Sequence, residues 1–522
     1  MQTFNVTGTC VPKKHYMVDI TGKLEQIKKL IDAEAYFTIN RGRQYGKTTT
    51  LLALEHFLGD EYTVISISFE GIGEEPFSSE ANFCQTFVEL ISDALRFTSE
   101  TKEYREVWMA EDITNLKKLS DHITNMCEDK HLVLMIDEVD KSSNNIIFLN
   151  FLGKLREKYL LRNAGKDFTF HSVILAGVYD IKNIKLRLIQ EGLHTPATGE
   201  TTINNSPWNI AADFKVDMSF SATEIETMLV QYEQDHQTDM NISDIAAEIY
   251  YYTGGYPVLV SSICKYIDEE LEKKWDVDSV RTAVKLILKE DRPLFQSLIK
   301  NLQSNADLSN LVYDILMVSK TWSFTFANPI VSLGVRYGYF KDVVGKVNIS
   351  NKIFELWVIN YFVSRDQLAA LRHAVPVSIQ SDIISDGKFN MQMCLEKFAK
   401  YYHQHYSGKD LAFLERESRY FFLFFLNPIL NGHGFAHTES AFTDDRRMDV
   451  VVNYLNQQFI VELKIWHGEQ YQQKGFDQLK GYMDKMSLSE GYLLTFDFRQ
   501  NKQQKQEWLE IAEGQKIFSI VV

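Results

Sequence analysis

Cysteine is scarce in this sequence, and what there is lies scattered. The five residues, Cys10, Cys84, Cys127, Cys264 and Cys394, show no paired spacing. That argues against a disulfide framework and against a zinc site, and it fits a reducing cytoplasm. Net positive charge is also missing, since the formal charge is −15. No basic coat advertises nucleic-acid binding, so any nucleic-acid site has to be a local groove. No apolar run reaches the length that spans a bilayer, and the most apolar stretch, Tyr420 to Leu426, is too short. The opening Met-Gln-Thr-Phe-Asn lacks a basic-then-apolar secretory pattern. Internal repeats and low-complexity tracts are absent. What remains is an ordinary globular composition, 45% hydrophobic and 24% charged over 522 residues. The length suggests about three or four domains. The expectation is a cytoplasmic chain with no membrane segment.

The stretch that organises the rest is Ile39-Asn40-Arg41-Gly42-Arg43-Gln44-Tyr45-Gly46-Lys47-Thr48-Thr49-Thr50. An apolar strand, Tyr36 to Ile39, runs into it, and a helix through Leu51 to Leu58 runs out of it. Strand, glycine-containing loop, Gly-Lys-Thr and helix form the layout of a phosphate-binding P-loop, where backbone N–H groups at a helix start cradle phosphate oxygens. Lys47 then reaches the β- and γ-phosphates, and the Thr48 hydroxyl ligates Mg²⁺. Arg43, Gly46 and Thr49 complete the nucleotide-facing set. The usual pattern places a glycine where this chain has Arg41, and Gly42 comes one residue late. An ordinary basic strand-to-helix turn is the plain alternative.

A second signature decides between them. His131 to Ile136 is an apolar run ending in Asp137-Glu138. A carboxylate at the edge of a buried strand needs a polar partner, and Mg²⁺ beside the P-loop is one. Asp137 is therefore the expected metal ligand and Glu138 the residue that polarises an attacking water. Between the two signatures lie a β-branched strand, Tyr62 to Phe69, and an amphipathic helix, about Ala81 to Arg96. Ser172 to Gly177 is a further strand, with Tyr179 and Asp180 poor candidates for a γ-phosphate sensor. Asp213 to Met218 reads as a possible last strand, and Tyr16 to Asp19 as a short β-segment. Tyr16 could stack on adenine, although a packed core tyrosine is the plainer reading. Strands alternating with helices predict a parallel, doubly wound sheet whose ligand crevice lies at the strand C-termini.

From Ser221 to Lys274 the pattern is helical and contains Thr253-Gly254-Gly255-Tyr256-Pro257, as expected of a helical lid over the nucleotide. About Asp291 to Val363 reads as helices followed by a hairpin near Val335 to Asn351, which is winged-helix-like. With few basic residues there, packing between domains is favoured over DNA binding. Residues 366–410 read as a helical connector.

The last hundred residues carry different chemistry. Met448 to Tyr454 is a strand, and Gln458 to Ile465 is the strand that returns. Glu462 and Lys464 are two apart and share a face. A turn centred on Leu455-Asn456 sets Asp449 opposite Glu462, whereas a turn at Asn456-Gln457 sets it opposite Lys464. Either register gathers two carboxylates and a lysine on one face, as metal-dependent phosphodiester cleavage requires. A cross-strand salt bridge is the bland alternative. The unbroken Val450-Val451-Val452 and Phe459-Ile460-Val461 runs point to strands buried on both faces, where charges need a reason. Glu417 opens a helix before the hairpin, and Gln478 and Tyr482 share a face on the helix after it. That is the element order of the PD-(D/E)xK nuclease core.

Thr7-Gly8-Thr9-Cys10, His15 to Asp19, Arg43 to Thr48, Ile136 to Asp140 and Thr253 to Pro257 together resemble the bacterial AAA-ATPase-like family. Asp449, Glu462 to Trp466, Gln478 to Tyr482 and Gly491 to Phe498 resemble the nuclease-superfamily domain often fused to it. The resemblance covers nearly the whole chain, and it makes Arg41 normal at its position. It implies an α/β protein: a P-loop NTPase with parallel sheet over 1–220, a helical lid over 221–290, a winged-helix-like region over 291–365, a connector over 366–410 and a PD-(D/E)xK nuclease-like domain over 411–522. ATP and Mg²⁺ are the implied cofactors, held by Lys47, Thr48, Asp137 and Glu138. Glu417, Asp449, Glu462, Lys464 and Gln478 are the implied nuclease set, with Asp449 and Glu462 on the metal. A nucleic acid is the implied substrate; the order of the two domains, rather than the resemblance, suggests cleavage under nucleotide control, and the fused architecture would suit defence or DNA processing. The alternative is a nucleotide-dependent switch or scaffold that binds nucleic acid or protein without cleaving. Arg41 and Arg43 either act in cis on the phosphates or are structural. A homo-oligomer and a protein partner both stay open.

Overall fold

The computed structural model describes residues 2–98, 100, 102–109, 112–139, 145–178, 208–318, 320–369, 382–406, 411–430, 433–439, 449–499, 505–512 and 514–522. The chain divides into two compact units, Met1–Gln237 with Gly255–Ser261, and Thr238–Gly254 with Ser262–Val522.

The first unit is built on four parallel strands: β1 (Tyr36–Asn40), β2 (Thr63–Ser68), β3 (Leu132–Asp137) and β4 (Ser172–Gly177), in the order β1-β4-β3-β2. Alternate residues face opposite sides, and both sides are covered. Ile65, Leu134 and Val173 pack with Phe83, Phe87 and Phe151 of the Glu80–Ala94 and Ile146–Asn163 helices. Val64, Val133 and Ile174 pack with Ile27, Leu51 and Leu54 of the Thr21–Asp32 and Lys47–Leu58 helices. That double cover is why these strands read as continuous apolar runs.

Two expected strands are not strands. Asp213–Met218 makes no ladder; only Ala212 bridges Phe37 beside β1. Phe214 instead stacks on Phe37, with ring centroids 5.8 Å apart, and the Val216 carbonyl is taken by the Arg41 guanidinium at 3.0 Å. With that carbonyl occupied by a side chain, the segment is held in place without strand pairing. Likewise Tyr16–Asp19 forms no strand: a lone Thr3–His15 bridge precedes it, and the Tyr16 N–H donates to the Thr3 carbonyl at 3.1 Å. Tyr16 is a core residue: its ring lies 5.2 Å from Tyr232, and its hydroxyl donates to Asp235 Oδ2 at 2.8 Å. Tyr179, Asp180 and Asp140 lie outside the described residues.

At the N-terminal ends of β3 and β4 the Nδ1 atoms of His131 and His171 are 3.3 Å apart. Burial, with the neighbouring imidazole in support, pushes the His171 pKa below its ordinary 6.5. The unfolded chain therefore takes up this proton first as pH falls. Stability contributed here is complete above pH 6.5 and declines below it. Urea midpoints on either side of that value should fall on the acid side for wild type, and fall less for His171→Asn. An equal fall in both proteins would remove His171 as the cause.

The second unit contains the Ile242–Thr253 and Val277–Ile287 helices, then Pro293–Ser304, Ala306–Met317 and Pro329–Arg336. A hairpin of β5 (Phe340–Val343) and β6 (Lys346–Ile349) follows, and then the Lys352–Ala369 helix. Within 382–406 a small hairpin, β7 (Ile384–Ser385) and β8 (Lys388–Phe389), leads into the Met391–Tyr406 helix. The Leu411–Leu430 helix precedes a six-stranded mixed sheet. Its strands are β9 (Gly434–Glu439), β10 (Asp449–Tyr454), β11 (Gln457–Ile465), β12 (Glu490–Phe496), β13 (Gln506–Ala512) and β14 (Gln515–Val521), ordered β13-β14-β12-β11-β10-β9. Val451, Ile460, Leu493 and Ile517 pack under Leu479 and Met483 of the Glu469–Lys485 helix. On the opposite face Phe496 meets Phe398 and Tyr402, and Phe398 meets Phe422. Both faces are covered, as the apolar runs predict. Among the described residues no helix is long and apolar enough to cross a membrane.

Candidate functional site

The loop between β1 and its following helix is short and sharply turned. Gln44 and Gly46 both sit in the left-handed region, at φ 56° and 76°. Gly46 is the N-cap of the Lys47–Leu58 helix and offers no side-chain cap, so the first-turn N–H groups are not satisfied from that position. A side chain at Gly46 would be strained by this φ, which explains the glycine of the Gly-Lys-Thr run.

Lys47 is buried, and its Nζ donates to the carbonyls of Arg41 and Gly42, each at 3.1 Å. The ammonium is thus held inside the loop. Thr48 Oγ1 donates to Asp137 Oδ2 at 2.5 Å, joining the P-loop helix to the end of β3. Asp137 is 6% exposed, and its other oxygen accepts the Glu138 N–H at 2.9 Å. Glu138 itself is half-buried in the left-handed region, at φ 54°. The structure therefore brings Lys47, Thr48, Asp137 and Glu138 together at the strand C-termini. Thr48 and Asp137 supply the hard oxygen donors that suit Mg²⁺.

Thr49 points elsewhere in the same unit. Its Oγ1 accepts the Cys10 N–H at 3.2 Å, so it fastens the N-terminal segment to the P-loop helix. Gly8, Cys10, Gly46, Thr49, Met228 and Pro257 line one crevice beside that helix. Arg43 is exposed, and its carbonyl accepts the Tyr256 hydroxyl. Arg41 bonds the Asn40 and Val216 carbonyls, at 2.9 and 3.0 Å, and lies over the Phe214 ring. Those contacts occupy the Arg41 guanidinium structurally. Tyr256 is the contact that the sequence did not assign, although it stands in the Gly-Gly-Tyr-Pro run.

In the second unit β10 and β11 join through Leu455-Asn456, and Tyr454 pairs with Gln457. Asp449 therefore lies opposite Glu462, and Lys464 falls beside Thr495 of β12. Glu462 is fully buried. Lys464 Nζ lies 2.6 Å from Glu462 Oε1 and donates to Gln478 Oε1 at 2.8 Å. Gly475 lets the lysine stem pass, since a Cβ there would stand 3.2 Å from Lys464 Cε. The structure thus joins Glu462, Lys464 and Gln478 by contact and adds Asp449 by register. Glu417 lies on the Leu411–Leu430 helix; the side chains of Glu417 and Asp449 lie outside the described residues. Among the described residues no group of three or more His, Cys, Asp or Glu could hold a metal ion.

Three comparisons bear on identity. A Walker-type ATPase of Pyrococcus abyssi aligns with 67% of this chain and 98% of its own, at 13% identity and a TM-score of 0.42. The ORC2 protein of Aeropyrum pernix, in its ADPNP–ADP complexes, aligns with 67% of this chain and 94% of its own, at 13% identity and a TM-score of 0.34. No match was found among curated proteins. The family model described as an AAA-like domain matches residues 13–328, more than half of the 522 residues, and the chain belongs to that family.

Proposed function

We propose that this chain is a P-loop ATPase whose nucleotide state controls a Mg²⁺-dependent nuclease in its C-terminal 411–522 segment. The observation that carries the first half is the Thr48–Asp137 hydrogen bond, which fixes two oxygen donors together beside Lys47. Thr48 and Asp137 would hold Mg²⁺, which would supply charge neutralisation at the β- and γ-phosphates. Lys47 leaves the Arg41 and Gly42 carbonyls for the phosphates, and Glu138 orients the attacking water. The crevice beside Gly46 and Pro257 takes the base. The 1–220 core, 221–290 lid, 291–365 winged-helix-like region and 366–410 connector are the proposed relay to the nuclease.

The second half rests on Asp449 opposite Glu462, with Lys464 bonded to Gln478. Asp449 and Glu462 would hold the metal that activates water for phosphodiester cleavage. Lys464, oriented by Gln478, offsets charge on the attacked phosphate. Glu417 completes the proposed set from the preceding helix.

A cleavage assay tests both halves, using linear, circular and single-stranded DNA with Mg²⁺, with and without ATP. Lys47→Ala should weaken ATP binding at least tenfold, because a charge-assisted phosphate contact contributes upwards of about 1.5 kcal/mol. It should also abolish the response of cleavage to ATP. Cleavage and DNA affinity that ignore ATP would sink the coupling. Cleavage absent under every condition would favour a nucleotide-dependent switch.

A further inference from the structure

Strands β11 and β12 run parallel, and they carry a second basic feature just past the proposed nuclease centre. The pairing Lys464–Thr495 and Ile465–Phe496 continues outward, because the Trp466 N–H donates to the Phe496 carbonyl at 2.9 Å. Side chains alternate, so Glu462, Lys464 and Trp466 share one face of β11, and Thr495 and Asp497 share that face of β12. Asp497 is 1% exposed. The Arg499 guanidinium forks onto it, with Nε 2.9 Å from Oδ1 and Nη2 2.6 Å from Oδ2. The same guanidinium lies 4.6 Å over the Trp466 ring. Even so, the Arg499 side chain is 57% exposed.

A guanidinium fixed by a buried carboxylate below and an indole beside it, yet open to solvent, is preorganised for a ligand. An ion pair made only for stability at such exposure contributes little. The fork uses Nε and Nη2 and leaves Nη1 for an oxyanion, and phosphate is an anion whose geometry arginine matches. Nearby in sequence, His467 and Tyr471 meet edge to face at 5.4 Å, and Lys474 Nζ lies 5.5 Å from the Tyr471 ring. Exposed rings interleaved with cations suit unpaired bases and their backbone.

We infer that Arg499, set by Asp497 and Trp466, binds a backbone phosphate of a single-stranded nucleic acid whose scissile phosphate lies at Glu462. The inference rests on the nuclease reading and deepens it. Trp466 stands four positions after Glu462, about 13 Å at strand rise. That distance spans roughly four nucleotides of stacked strand at 3.4 Å each, and fewer if the strand is unstacked.

The test uses the full chain and a fluorescein-labelled oligothymidylate of about twelve nucleotides, with Ca²⁺ replacing Mg²⁺ to hold cleavage while anisotropy is read across a salt series. Arg499→Ala should weaken binding about tenfold and flatten the salt slope by about 0.7, the contribution of one single-strand phosphate contact. Arg499→Lys should restore the slope but not the full affinity, and Asp497→Asn should fall between. A labelled dinucleotide should not distinguish Arg499→Ala from wild type. Arg499→Ala removes the guanidinium that neutralises the buried Asp497 carboxylate, so its unfolding midpoint should fall and binding is read well below it, whereas Arg499→Lys keeps a cation there and should stay near the wild-type midpoint. If wild type cleaves, Lys464→Ala does not, and Arg499→Ala binds with wild-type affinity and slope, the phosphate site is wrong and the nuclease stands. If Arg499→Ala weakens duplex binding as much as single-strand binding, the single-strand assignment is wrong. If wild type neither binds nor cleaves any strand, both readings fall together.

Discussion

Lys464→Met should slow cleavage by about 10²–10³ and destabilise the C-terminal sheet by about 3 kcal/mol at neutral pH, more than an ordinary surface lysine could. Glu462 is fully buried, and the Lys464 ammonium stands 2.6 Å from its Oε1. Removing one member of a buried pair strands the other, which costs about 3–5 kcal/mol. Lys464 is 14% exposed, so some water reaches its end and the lower figure applies. Methionine keeps the length of the stem that passes Gly475, so packing changes little. Adding Glu462→Gln to Lys464→Met should recover most of the loss, and the double-mutant cycle isolates the pair. Because the chain has two compact units, hydrogen exchange of β11 and β12 amides is the appropriate probe. The cleavage rate should drop by about 10²–10³ if Lys464 stabilises the attacked phosphate. Unchanged exchange would mean that Glu462 is held by other groups. Unchanged cleavage would remove Lys464 from the chemistry.

How far this centre could be read from the sequence depends on the range of the interactions. The Glu-x-Lys spacing on one face is a local consequence of strand geometry, and it holds. The opposition of Asp449 and Glu462 depended on the turn, and the chain offered two. Asn456 is the residue chemically suited to a left-handed position, yet Leu455 takes it, at φ 48° and half exposed. Tertiary contact helps fix that choice, for Gln457 Oε1 accepts the Phe389 N–H at 2.7 Å from the small preceding hairpin. In the first unit, Gly46-Lys47-Thr48 and Asp137 were legible because each motif is contiguous. Arg41 on the Val216 carbonyl joins residues 175 positions apart, and no local pattern announces it. The same is true of Asp213–Met218, whose alternation is strand-like but whose Val216 carbonyl is spent on Arg41.

Gly255→Ala should cost about 3–5 kcal/mol and carry the P-loop with it. Gly255 sits at φ 73°, where an alanine is strained by about 1–2 kcal/mol. A Cβ there would also stand 1.9 Å from the Phe220 carbonyl oxygen and 2.7 Å from its nitrogen. Both atoms are backbone, so no side chain can swing aside. The Phe220 N–H donates to the Gly255 carbonyl at 2.8 Å, and relieving the clash breaks that bond. The next residue, Tyr256, is buried, its hydroxyl donates to the Arg43 carbonyl, and its ring meets Tyr45 at 4.6 Å. Displacing Gly255 therefore moves the ring that props the loop between Arg43 and Gly46. ATP affinity should fall at least tenfold, equivalent to about 1.4 kcal/mol, measured by calorimetry on protein still folded at low temperature. Tyr256→Phe separates the two effects, because it keeps the ring against Tyr45 and deletes only the hydroxyl. Its stability loss should be near 1 kcal/mol, the typical net value of one hydrogen bond. Its ATP affinity should drop by a few-fold, with Lys47 and Thr48 unaltered. A Tyr256→Phe protein with wild-type ATP affinity would show that the loop holds its shape without this bond, and would leave Gly255 as a packing residue alone.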